Sequence, residues 1–192
     1  MHADVRIRHL AEGDWSGIIA LEAAAYAAIG LSEDEATLRS RAQVSPSTCT
    51  VLDQGGHVVG YCLALPYPPF SAPDLSHPEH APKTAAPSPN LHLHDLVIAP
   101  ALRGRGLARR LLRHLTATAR ATGYEQFSLV SVAGSQAFWT AHGYRPHPEI
   151  AVPHGYGTDA VYMTAPVPAG RSETDKPPPT PLAGPPLKDD VN

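Results

Sequence analysis

At 192 residues the chain suits one domain better than two. Hydrophobic residues at 43% and charged residues at 17% are enough to fill a core and exclude global disorder. The formal charge of −3 excludes a globally basic nucleic-acid binder, two cysteines exclude a disulfide-dense secreted scaffold, and no apolar run reaches the ~18–20 residues of a membrane helix.

The stretch Met1-His2-Ala3-Asp4-Val5-Arg6 lacks the apolar core of a signal peptide, so a cytoplasmic location is expected. Val5 to Leu10 alternates as a strand. Asp14 is a cap for a helix carrying Trp15, Ile18, Ile19, Leu21 and Tyr26, which Gly30 stops. Ser32 precedes Glu33, Asp34 and Glu35, an acidic first turn for a short helix to about Val44. Thr48 to Asp53 and His57 to Leu65 read as strands joined at Gly55-Gly56. A two-residue turn there would set Cys49 opposite Cys62; a cytoplasmic setting favours free thiols.

Prolines punctuate the rest. Eight of the 21 lie between Pro66 and Pro89, and seven between Pro168 and the C-terminus. The first cluster makes a long internal loop, a length usually kept for function or mobility. The second has few large apolar residues to offset ordering entropy. The expected organisation is a domain over 1–167 and a disordered proline-rich tail over 168–192.

Leu91 to Ala99 turns nearly all apolar in its second half, as a strand buried on both faces does, and Pro100 ends it. Gly104 to Thr122 carries Leu107, Ala108, Leu111, Leu112, Leu115 and Ala119 at helical spacing. Phe127 to Val132 is a further strand, Ser135 to His142 a short helix closed by Gly143, and Ala160 to Val167 a last strand. The order β-α-α-β-β-β-α-β-α-β predicts an α/β fold with a parallel pair at its β-α-β step.

The step from Leu96 to Leu112 carries the chemistry. A buried strand ends, a turn with Gly104 and Gly106 follows, and a helix begins. First-turn amides lack helical partners and sit at the positive end of the helix dipole, and glycine lets a ligand approach the backbone. These features make an anion cradle. Between Leu96 and Tyr124 stand six arginines and no Asp or Glu, which suits a ligand with several negative charges. The P-loop pattern Gly-Lys-Ser/Thr is absent. The dinucleotide fingerprint fails because Arg109 occupies its third small position and no acidic residue follows at ribose distance.

Arg103-x-x-Gly106-x-Ala108 resembles the Gln/Arg-x-x-Gly-x-Gly/Ala signature of the GCN5-related N-acetyltransferases. Leu96-Val97-Ile98-Ala99-Pro100 is similar to the family's Leu-x-Val-x-Pro strand, and Phe138-Trp139 before Gly143-Tyr144 is similar to its aromatic pair before Gly-Phe. The resemblance in element order covers roughly 5–167. It implies a mixed central sheet of about six to seven strands with flanking helices and a splayed parallel pair at the cofactor slot. It implies acetyl-CoA as cosubstrate, with no metal. Arg103, Gly104, Arg105, Gly106, Leu107, Ala108 and Arg109 would hold the pyrophosphate, and the edge of Leu96, Val97 and Ile98 would pair with pantetheine. A primary amine of a small molecule would attack the thioester directly in a ternary complex. Glu22, Tyr26 and Glu33 fall where the family's first helices line the acceptor cleft, so Glu22 and Tyr26 are the expected substrate contacts.

Two departures bear on mechanism. Trp139 stands where the family often has a Tyr that protonates the leaving thiolate, and indole is no acid at neutral pH. Tyr144, Tyr124, Tyr156 or solvent would then serve, with Tyr144 the expected acid. Val132 replaces an Asn that many relatives carry. For the base, Asp95 is an acid in a buried strand, and His94 shares a face with His92 and is of the residue type suited to general-base work near neutral pH. His77 and His80 in the proline loop raise a zinc site as a minor alternative. A non-catalytic acyl-CoA sensor or docking module is the competing function. The expected partner is the amine acceptor, with a homodimer left open and neither nucleic acid nor a membrane.

Overall fold

The computed structural model describes residues 4–79 and 88–169. The tail from 170 onward and residues 80–87, with His80, lie outside the described residues. A seven-stranded sheet runs β1-β2-β3-β4-β5-β7-β6, with β1 Val5–His9, β2 Thr50–Gln54, β3 His57–Pro66, β4 Asn90–Ile98, β5 Gln126–Ser131, β6 Arg145–His147 and β7 Val161–Pro166. All neighbours are antiparallel except β4 and β5. The expected mixed sheet with a parallel pair is therefore present. Among the described residues no helix is long and apolar enough to cross a membrane.

Strand alternation sends successive side chains to opposite faces, so one sheet serves two cores. Tyr61 and Leu63 of β3 join Trp15 and Ile18 of α1 (Trp15–Tyr26) and Leu38 of α2 (Glu35–Val44). Cys62 and Ala64 face the other way, onto Leu111, Leu115 and Ala119 of α3 (Leu107–Ala121). The last helix, α4, spans Gln136–Ala141.

Three local expectations change. The α2 cap is Asp34, whose carboxylate accepts from Thr37 N at 2.8 Å, so Ser32 and Glu33 stay in the preceding loop. The α3 helix starts at Leu107 after Gly106 at φ +75°, because Gly104 and Gly106 both adopt the left-handed conformation that interrupts a helix. The strand β6 was not anticipated, because Pro146 masks a three-residue edge.

Two bulges set the registers. Leu52 pairs with Gly60 and Asp53 with Val58, which leaves Val59 as an extra residue in β3. Thr50 then meets Cys62, so Cys49 is displaced from it; both thiols are free and buried. On β4, Leu93 pairs with Ala64 and Asp95 with Leu63, so His94 is the extra residue.

Candidate active site

The β4 bulge builds the site. Before it, Leu91 and Leu93 point to the α3 core; after it, Leu96 and Ile98 do. The one-residue insertion inverts the alternation, so the consecutive His94 and Asp95 both point to the α1–α2 side. Three parallel pairs join β4 to β5, Asn90–Gln126, Leu91–Phe127 and His92–Ser128. Ser128 stitches the last pair: Asn90 Nδ2 donates to its Oγ at 2.8 Å, and His92 Nδ1 lies 2.9 Å from it. Beyond this point the strands part, as expected of a splayed pair, and a cleft of about 670 Å³ opens between them. Leu93 to Ile98 line one side, Val130, Val132 and Trp139 the other.

At one end of the cleft lie Arg103, Gly104, Gly106, Leu107, Ala108 and Arg109; Arg105, also expected there, is exposed outside the lining. The first helical bond of α3 is Arg110 N to Gly106 O at 3.0 Å, and no side chain caps the helix. The amides of Leu107, Ala108 and Arg109 thus have no helical acceptor. A Cβ on Gly104 or Gly106 would meet no protein atom within 4 Å, so the space above this backbone belongs to the cleft. None of the six arginines from Arg103 to Arg120 is ion-paired among the described residues. Arg109, Arg113 and Arg120 line an adjoining groove of about 350 Å³.

The other end is polar beneath and apolar around. Asp95 is buried between two tyrosines. Tyr26 donates to Oδ1 at 2.7 Å, and Tyr61 donates to Oδ2. Burial pushes the Asp95 carboxyl up to about 6, against the opposing pull of the Tyr61 hydroxyl, of His94 and of the Tyr26 hydroxyl. Both tyrosines are raised well above the ordinary phenol value, chiefly by burial and then by Asp95, so they remain donors.

His94 stands beside Asp95. Its Nε2 is 2.5 Å from Glu33 Oε2, its side chain is 2% exposed, and its Nδ1 has no partner. Arg41 Nε donates to the other Glu33 oxygen at 2.9 Å, and its Nη2 donates to the Asp74 carbonyl at 2.8 Å. Burial pushes the Glu33 carboxyl up, but His94 and Arg41 outweigh it and hold it below its ordinary value. Glu22 is spent on the same loop: Ser32 Oγ donates to it at 2.6 Å and Glu33 N at 2.7 Å.

Arg41 is fully buried, with Glu33 on one side and Glu79 on the other. Replacing it with Met would take the buried guanidinium from both carboxylates. The R41M variant is expected to lose about 3–5 kcal/mol in urea denaturation.

Of the three tyrosines considered as thiolate acids, Tyr144 and Tyr124 fall outside the cleft lining. Tyr144 is packed in the α3 core against Trp139, outside the cleft lining. Tyr124 is also outside the lining, and Tyr156 reaches the cleft with its hydroxyl donated to Pro73 O at 2.8 Å. His77 is exposed and pairs with Asp74, and no group of three or more metal-ligating side chains occurs among the described residues.

Tyr61 and Arg41 escaped the sequence. Each carried a signal: Tyr61 is a hydroxyl-bearing residue in a buried strand, and Arg41 sits three residues after Leu38 on an apolar helix face.

Comparison with known proteins agrees with the fold. The structure of GphF, a GNAT-like decarboxylase in complex with isobutyryl-CoA, is 23% identical with a TM-score of 0.67, covering 85% of this chain and 100% of that one. The loading GNATL domain of CurA from Lyngbya majuscula is 17% identical with a TM-score of 0.69, covering 85% and 98%. The ribosomal-protein-S18-alanine N-acetyltransferase from Escherichia coli is 18% identical with a TM-score of 0.60, covering 88% and 97%. These likenesses concern the fold. Comparison with the curated proteins yields no match. The family model described as the acetyltransferase (GNAT) family matches residues 15–144, more than half of the sequence, and the chain belongs to that family.

Proposed function

We propose that the protein transfers an acetyl group from acetyl-CoA to a primary amine of a small molecule, by direct attack in a ternary complex. One observation carries this. A single cleft joins a helix N-terminus without a side-chain cap, flanked by arginines that have no ion pair among the described residues, to a buried, tyrosine-held carboxylate. The amides of Leu107 to Arg109 and the arginines around them fit a diphosphate. The β4 edge from Leu96 to Ile98, released from β5, offers main-chain groups to an extended amide-bearing arm.

An ammonium has no lone pair, so the acceptor must lose a proton before or during attack. Asp95 takes it in this scheme. Tyr26 lines the cleft and donates to Asp95, so its hydroxyl accepts the amine proton as it passes its own to Oδ1. The new bond forms between amine nitrogen and acetyl carbon, and the C–S bond breaks. A thiol of ordinary pKa, ~8.5, regains its proton from solvent at neutral pH, so no buried acid is needed.

The Tyr144→Phe substitution is accordingly expected to keep kcat within about two-fold of wild type. A loss of 100-fold would return Tyr144 to the reaction. The whole proposal is tested by thiol release from acetyl-CoA over a library of amines. Turnover with at least one amine supports it. Tight CoA binding without turnover on any amine would instead favour a non-catalytic acyl-CoA module.

A further inference from the structure

The Asp95 carboxylate has two donors in unlike places. Tyr26 bonds Oδ1 from the wall of the cleft. Tyr61 bonds Oδ2 from inside the α1–α2 core, where it clusters with Trp15, Ile18, Leu38 and Leu63, is fully buried and does not line the cleft. The pairing of β3 with β4 explains the second placement. Asp95 lies opposite Leu63, and Tyr61 stands two residues from Leu63 on the same face of β3. The extra residue His94 turns Asp95 to that face; an unbroken β4 would direct it to the other.

The two oxygens are therefore not equivalent as proton acceptors. The Tyr61 hydroxyl has one proton to donate, and Asp95 Oδ2 is its only acceptor among the described residues. A proton arriving on Oδ2 would set two O–H donors face to face, with the sealed hydroxyl unable to turn to another partner. Oδ1 has no such conflict, because Tyr26 reaches the cleft and can give up its proton as it receives another.

We propose that Tyr61 is the positioning residue for the base: by holding Oδ2 from the core it fixes the carboxylate's orientation and directs the acceptor's proton to Oδ1. This rests on the transferase function proposed above. The amine N–H proton passes to the Tyr26 oxygen, the Tyr26 proton passes to Asp95 Oδ1, and Tyr61 neither gains nor loses one.

The same bond acts on the charge of the base. The ionisable groups around Asp95 are Tyr26 and Glu22 from α1, Glu33 from the loop before α2, Tyr61 and Cys62 from β3, and His94 from β4, with Arg41 of α2 behind Glu33. Burial is the largest influence on the Asp95 carboxyl and raises it. Tyr61 is the largest influence that lowers it, ahead of His94 and Tyr26, while Glu33 adds to the rise.

Two measurements on the full-length protein test this. Loss of one hydrogen bond to a buried carboxylate is expected to raise its titration by about one to two pH units. In Tyr61→Phe, which keeps the ring in the core, the 13C-carboxyl signal of Asp95, assigned by its loss in Asp95→Asn, is expected to titrate that far above the wild-type midpoint of about 6. With 3-fluorotyrosine in place of Tyr61, a stronger donor of nearly the same shape, the midpoint is expected to fall below wild type. The second measurement is thiol release from acetyl-CoA with the fastest amine of the library. Relative to wild type, kcat/KM of Tyr61→Phe is expected to be about 10- to 100-fold lower below about pH 6, and the deficit to shrink to about 3-fold by about pH 9. Tyr26→Phe, which breaks the proton path itself, is expected to keep its deficit at every pH. An unmoved midpoint in Tyr61→Phe, or a deficit of equal size at every pH, would overturn the proposal and leave the transferase function standing. No thiol from any amine, with CoA still bound in calorimetry, would overturn both.

Discussion

Asp95→Asn is expected to lower kcat by about 10²–10⁴-fold while CoA affinity stays within two-fold and the folded state becomes more stable. The two effects share one cause. Asp95 is buried, and its carboxyl stands at about 6 in place of 3.8. A proton is therefore held more tightly in the native state than in the unfolded one. Between those two values the native state gives up stability as pH rises, and the displacement corresponds to about 3 kcal/mol lost by pH 7. Asparagine has no such proton, so the variant is expected to be more stable by up to about 3 kcal/mol at pH 7, with the difference vanishing below about pH 4. Denaturant titrations of both proteins at pH 4 and pH 7 measure this directly. The activity counterpart is an acidic limb: kcat/KM falls as pH drops through about 6, where Asp95 takes up its proton. Near-normal turnover in the variant, or a wild-type limb that persists in it, would place the base elsewhere.

Gly106→Val is expected to weaken CoA binding by at least about 100-fold in calorimetry. Gly106 has φ +75°, so any L-residue there costs about 1–2 kcal/mol in backbone strain. Strain alone is not the reason for the predicted loss. Nothing lies within 4 Å of a Cβ at this position, and Gly106 lines the cleft next to the first residues of α3, so the added side chain is expected to fill space that the cofactor would use. Gly123 provides the control. It has φ +83° and equally open space just past the other end of α3, outside the cleft lining. Gly123→Val carries the same strain and is expected to leave CoA affinity unchanged. Equal losses in both variants would assign the effect to the backbone, and unaltered affinity in Gly106→Val would remove the anion cradle.

The sequence exposed the parts of the site that depend on local chemistry. Two glycines between an apolar strand and an arginine-rich helix have a meaning that neighbours in the chain define, and Gly104 to Arg109 appear at the cleft as anticipated, with Arg105 turned out of it. The mixed sheet was legible for the same reason, since alternation and helical spacing are short-range patterns. The register was not. An unbroken alternation would send His94 and Asp95 to opposite faces; the extra residue in β4 brings them to one. Its position is set by pairing with β3, which lies some thirty residues away in sequence. The same long-range pairing places Tyr61 at Asp95 and, through the bulge at Val59, moves Cys49 away from Cys62. Arg41 is the sharpest case. By composition it is a surface cation, and only the meeting of α2 with the proline loop and Glu33 explains a guanidinium sealed from solvent.

That guanidinium has a consequence for engineering. The same side chain grips the Asp74 carbonyl, the Glu79 carboxylate and the Glu33 carboxylate that orients His94. The Asp74–Glu79 segment and the cleft-lining His94 therefore share an anchor. A graft from another scaffold would have to bring its own main-chain oxygen and its own acid to those coordinates, or a sealed guanidinium would be left without partners.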